Sequence, residues 1–201
     1  MTSTIPSAYL VMDLVNDLVH RDGPNGATLA AEAERRGVLA NTAKAVRAAR
    51  AAGILVIFVR VGFDPRAAGK DISLVSPLFR NFAGTSLLQL GSWGTEIHPA
   101  IDVQTGDVDV VKQRVSPFYA TALDAILRAN GIKRLYLSGV STNYVVSSAV
   151  REAHDRDFEV HVIEDCCSAS SETEHANAIE GFRPLCHSVI NAAAIPIADR
   201  A

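Results

Sequence analysis

The amino-acid sequence predicts an α/β fold in three α/β/α layers, a Rossmann-like, six-stranded, mostly parallel sheet with helices on both faces. Three observations predict it. Short runs rich in Val, Ile and Leu recur along the chain, segments with helical spacing lie between them, and 201 residues suffice for one sizeable domain but not for two ordinary ones. Residues 1–201 are therefore read as a single domain. Hydrophobic residues make up 48% of the chain and charged residues 20%, the balance of a protein built around a large core rather than a disordered one.

Taken in order, the apolar runs place strands at 8–13, 54–60, 108–112, 134–139, 158–163 and 188–192. The stretch 38–52 is alanine-rich, carries Arg and Lys toward its end and is followed by Gly53, which marks a helix and its stop. Leu123, Ile126 and Leu127 give an i, i+3, i+4 face closed by Gly131, a second helix with one buried side. Residues 62–93 are the exception. They contain Asp64-Pro65, Gly69, Pro77 and Gly84 and hold no sustained period, and a connection that long in a compact domain usually carries function or partner contacts. No internal repeat, heptad pattern or low-complexity linker divides the chain.

The net charge of -3 gives no electrostatic reason to expect nucleic acid or an anionic membrane as partner, so a small molecule is the default ligand. The first residues, Met-Thr-Ser-Thr-Ile-Pro, lack a basic stretch, and the apolar run after them is interrupted by Asp13 and Asp17. Neither a signal peptide nor a membrane span is expected, and the cytoplasm is the expected location. Cys166, Cys167 and Cys186 are odd in number and have no disulfide-framework spacing, which fits a reducing compartment. The six histidines form no i, i+4 pair and no His-x-His group, and no phosphate loop or dinucleotide fingerprint is present, so no metal and no cofactor are expected.

In open parallel sheets ligands bind beyond the carboxyl ends of the strands, near the point where strand order reverses. Asp13, Lys112 and the turn that begins at Gly139 all fall at such ends, which places them on one rim. Asp13 is a carboxylate inside an otherwise apolar stretch, where an unpaired charge is expensive, so it needs a partner. Asp17 is read instead as a structural carboxylate capping the next segment. Lys112 ends the third apolar run and reaches the same rim, where a point-charge ammonium suits a carboxylate neighbour. Arg114 shares its strand face and is the competing cation. The pair predicted is Asp13 with Lys112, side chains within about 4 to 6 Å, with the aspartate pKa depressed by the ammonium.

Four stretches then carry a family resemblance. They are residues 8–17 (Ala-Tyr-Leu-Val-Met-Asp-Leu-Val-Asn-Asp), 91–99 (Gly-Ser-Trp-Gly-Thr-Glu-Ile-His-Pro), 110–118 (Val-Val-Lys-Gln-Arg-Val-Ser-Pro-Phe) and 139–149 (Gly-Val-Ser-Thr-Asn-Tyr-Val-Val-Ser-Ser-Ala). In that order and spacing the chain resembles the isochorismatase-like hydrolases, the cysteine hydrolase superfamily, from about residue 7 to 192, and the resemblance implies that family's fold. Most members use an Asp-Lys-Cys triad, which the resemblance places at Asp13, Lys112 and position 145. Here the chain departs from the pattern, because residue 145 is valine. The resemblance also implies a non-proline cis peptide between Val140 and Ser141, and an oxyanion hole formed by N–H groups of the turn through Val140, Ser141, Thr142, Asn143 and Tyr144. Position 145 should lie near a helix N-terminus, where a thiol would be activated and valine cannot be. Ser141-Thr142-Asn143 reads as helix capping, Ser147 and Ser148 point elsewhere around the helix, and Cys166 and Cys167 read as buried structural thiols.

The function expected is hydrolysis of a small polar metabolite by Asp13 and Lys112 without a cysteine nucleophile. The resemblance leaves open whether a vinyl ether is split, with Asp13 protonating carbon, or a C–N bond, with Asp13 activating water. Two alternatives stand beside it: a non-catalytic homologue that keeps the pocket as a binding or assembly module, and an amidase or carbamoyl hydrolase whose thiol was replaced deliberately. Leu78, Phe79, Phe82, Leu87, Leu88 and Trp93 have no regular helix to bury them, so a homodimer or homotetramer is expected.

Overall fold

A computed structural model describes residues 5–195. Its strands are β1 (Ser7–Met12), β2 (Leu55–Val61), β3 (Val108–Lys112), β4 (Arg134–Val140), β5 (Glu159–Ser168) and β6 (Ser188–Ile190). They form one sheet of six strands in the order β3-β2-β1-β4-β5-β6, and every pairing is parallel. The chain builds outward from β1 to β3, then returns to the other side of β1 with β4. The strand order therefore reverses between β1 and β4, and a crevice opens there beyond the strands' carboxyl ends.

The helices are α1 (Asn16–Val19), α2 (Ala31–Arg35), α3 (Val38–Ala51), α4 (Pro77–Arg80), α5 (Leu123–Ala129), α6 (Ser147–His154) and α7 (Glu172–Phe182). Successive side chains of β1 enter opposite cores, as the two-residue period of a strand requires. Ala8, Leu10 and Met12 pack with Leu123 and Leu127 of α5, Val150 of α6 and Phe182 of α7. Tyr9 and Val11 pack on the other face with Val38, Val46 and Ala49 of α3. The same period separates the adjacent thiols, Cys166 into the second core and Cys167 into the first.

Strand β5 runs to Ser168, well past the expected end at 163, because its register against β4 shifts between Leu137 and Gly139. That irregularity lets the strand bend and continue, a feature the hydrophobic pattern does not encode. The first strand ends at Met12, so Asp13 lies just beyond it, with a φ of 59° that aspartate tolerates better than most residues. Residues 62–93 are not wholly irregular either. Pro77–Arg80 form one helical turn capped by the Ser76 hydroxyl, and Phe79 and Leu88 join Val15, Val61 and Phe63 in a small core of their own. Part of the apolar surface expected at an interface is thus buried within the chain, while Leu74 and Val75 remain 60% and 92% exposed and Trp93 46%.

Candidate active site

Strand register brings Asp13 and Lys112 together. Val61 pairs with Lys112 across β2 and β3, and Met12 pairs with Val59 across β1 and β2, so the ends of three strands converge. One Asp13 carboxylate oxygen accepts the Val61 N–H at 2.8 Å, and the other lies 2.8 Å from the Lys112 ammonium. Lys112 also donates to the Arg114 carbonyl oxygen at 3.1 Å. Both side chains are buried, at 6% and 3% exposure. The expected pairing is present and shorter than expected, but the expected direction of the pKa is reversed. Burial pushes the Asp13 carboxyl above its ordinary value of 3.8, and the opposing pull of Lys112 and the Val61 N–H does not cancel it. Of the two cations weighed for this role, Arg114 turns away and donates to the carbonyl oxygens of Asp71 and Gln113.

The third wall comes from β4 and the turn after it. Gly139 has a φ of 145°, and a Cβ there would meet the Met12 carbonyl oxygen at 2.1 Å, so only glycine lets β4 approach β1 this closely. The Val140–Ser141 peptide is cis. A helical turn over Thr142–Val146 leads directly into α6, which puts Val145 at the start of a helix. Tyr144 and Val146 donate their N–H groups back to the Ser141 carbonyl oxygen. Val145 itself is buried and packs in the core shared with α5 to α7.

A cavity of ≈ 240 Å³ opens at this point, lined by Asp13, Lys112, Val140, Ser141, Tyr144 and Val145. The rest of its wall comes from the long connection and the segment after β1, among them Leu18, Leu29, Leu78, Phe79, Phe82 and Leu88. Phe63, Phe79 and Phe82 hold that wall together, with ring centroids 6.1 to 6.3 Å apart. Asp17, in α1, ties that wall to the segment after β1 by accepting the Leu88 N–H at 2.7 Å, a role different from the cap on the next segment expected of it. Gly94 packs against that carboxylate so closely that a Cβ would stand 2.2 Å from it.

Two residues of the turn do something the sequence did not announce. Ser141 makes no side-chain cap bond. The Thr142 hydroxyl is buried and lies 2.8 Å from His175 Nδ1, and His175 Nε2 lies 2.7 Å from Glu164, which is in turn paired with Arg36. His175 and Thr142 are both at the back of the turn and neither lines the cavity. Only tertiary packing shows this link, since 33 residues separate the two and no local spacing connects them. Asn143 also stays outside the cavity lining, with its side-chain oxygen unpartnered. The thiols of Cys166 and Cys167 are both fully buried, and burial pushes the Cys167 thiol up to about 12 and raises that of Cys166 strongly as well.

Residues 7–194 match the family model described as the isochorismatase domain. Ureidoacrylate amidohydrolase RutB of Methylobacterium radiotolerans is 37% identical over 153 residues, which cover 71% of this chain and 59% of that protein. The chain thus spans less than two thirds of the length of that curated relative. Among solved structures, an isochorismatase family protein from Desulfovibrio vulgaris shares the fold with a TM-score of 0.85 at 24% identity, covering 98% of this chain and 100% of that one. An N-carbamoylsarcosine amidase from Thermoplasma acidophilum superposes with a TM-score of 0.74 at 26% identity, over 94% of this chain and 97% of its own. A match that runs from β1 to past β6 takes in every element that builds the cavity, and the chain belongs to the isochorismatase family of hydrolases.

Proposed function

We propose that the protein hydrolyses a C–N bond, in an amide or carbamoyl group of a small molecule, by direct attack of water rather than through a covalent intermediate. Asp13 takes the proton from the attacking water, and Lys112 orients the carboxylate and stabilises its charge. N–H groups at the start of the Thr142–Val146 turn receive the negative charge that develops on the carbonyl oxygen. The water contributes its hydroxyl to the acyl carbon, and its proton leaves with the amine. The observation that carries this reading is the buried Asp13–Lys112 pair in a cavity whose third side is Val145, the position at which the resemblance puts the thiol. The choice of a C–N bond is supported by the names of the relatives, an amidohydrolase and an amidase. A vinyl ether is the second reading, and one observation favours it: burial raises the proton affinity of Asp13, which suits an acid.

The test is ammonia release from a panel of small amides and carbamoyl compounds, with enol ethers beside them, which release an alcohol and no ammonia. Asp13→Asn is expected to lower kcat/KM on the order of 10²-fold to 10⁴-fold, the usual contribution of a positioned proton-transfer group. Because a base must be ionised, the acid limb of the wild-type profile should fall above pH 3.8, in the direction burial moves Asp13. Iodoacetamide should leave the activity intact, since the two thiols nearest β5's end are buried and hard to ionise. Ligand binding with no turnover across the panel would make the protein a binding module instead.

A further inference from the structure

We propose that the molecule this cavity admits is uncharged, a small carboxamide or carbamoyl compound with an apolar body, and that carboxylate-bearing molecules are excluded. The inference rests on the reading of this cavity as the substrate site. It follows from a count of charge. Among the described residues that line the cavity, only Asp13 and Lys112 carry charge, and they neutralise each other at 2.8 Å. The polar remainder, Asn25, Ser141, Tyr144 and Ser170, is uncharged, and the other lining side chains are apolar. No lining cation is left over to pair with a substrate carboxylate.

The neighbouring arginines stand outside the cavity lining. Arg114, two residues beyond Lys112, donates to the carbonyl oxygens of Asp71 and Gln113, and its guanidinium carbon lies 6.0 Å from the Phe79 ring centroid. Arg60 is held by Asp109 and Arg66 by Asp64. An anion entering the cavity would lose its hydration without gaining a counter-charge, and it would approach the Asp13 carboxylate at short range. A neutral amide meets no such cost. Its carbonyl and N–H groups can face the polar end, where Asp13, Lys112 and Ser141 stand, while its body lies against Leu88 and Phe82. The same logic favours turnover, because hydrolysis of a carboxamide makes a carboxylate that this cavity releases.

Isothermal titration of matched pairs tests the idea: benzamide against benzoate, and isobutyramide against isobutyrate, at neutral pH with the wild-type chain. Each amide should bind on the order of 100-fold more tightly than its acid, the ratio that a desolvation penalty of a few kcal/mol gives. In Asp13→Asn the Lys112 ammonium loses its partner, so the preference should narrow or reverse, with benzoate gaining affinity relative to benzamide. Circular dichroism verifies that the variant is folded, and if it is not, the wild-type comparison alone decides. Acids that bind the wild-type protein as tightly as the amides, or amides that do not bind, would overturn the proposal. Amides that bind but are not hydrolysed would leave it standing and remove the catalytic reading instead.

Discussion

At the scale of single residues, Asp13 and Lys112 are held in a balance that neither would survive alone. Each is nearly sealed from water, so removing one leaves the other as a buried, uncompensated charge. We expect Lys112→Met to destabilise the protein by about 3–5 kcal/mol in denaturant unfolding, the range found when one partner of a buried pair is removed. The double variant Asp13→Leu/Lys112→Met should recover most of that loss, and strictly additive effects would show that the two charges do not interact. Both residues were legible in the sequence, because an ionic group at the end of an apolar run has few reasons to be there. The direction of the Asp13 pKa was not legible. It depends on how completely the surrounding segments exclude water, and residue spacing does not carry that. Thr142 and His175 illustrate the same limit, since a buried hydroxyl–imidazole contact between distant positions leaves no local trace.

At the scale of elements, β1 and β4 meet where the site is built, and Gly139 sets how near they come. Replacing it with alanine places a Cβ against the Met12 backbone and asks an L residue to hold a φ of 145°. We expect Gly139→Ala to cost at least about 1–3 kcal/mol in thermal or denaturant unfolding and to impair turnover, whereas alanine at Gly53, where no atom lies within 4 Å, should do less harm. Unchanged stability at position 139 would mean that the two strands can part without consequence. The six strands and helices α3 and α5 were readable from runs of Val, Ile and Leu and from helical spacing, and the observed boundaries of β1 to β4 differ from the expected ones by at most a residue. The extension of β5 was not readable, because a register shift answers to the neighbouring strand. Nor was the helical turn at Pro77–Arg80 or the cavity wall around it, since those side chains are gathered by contact with Phe63 and Val61 rather than by a period.

At the scale of the whole molecule, the reversal of strand order between β1 and β4 gathers Asp13, Lys112, Val140, Ser141, Tyr144 and Val145 beyond the carboxyl ends of the strands. That convergence was inferable from strand ends alone. The character of the cavity was not, and its walls are more apolar than a polar metabolite would ask for. Leu74, Val75 and Trp93 stay exposed, and we expect them to be covered by a second copy of the chain. Light scattering at micromolar concentration should give a dimer or tetramer, and a monomer would remove that expectation. Whether water or a side chain attacks the substrate is decided by intact-mass analysis of rapidly quenched turnover mixtures of the wild-type protein and Val145→Cys. Product should form without any acyl adduct on the wild-type chain, and with an adduct at position 145 in the variant, where the helix start and Lys112 activate the new thiol. An acyl adduct on the wild-type protein, at Cys166, Cys167 or any hydroxyl, would contradict attack by water.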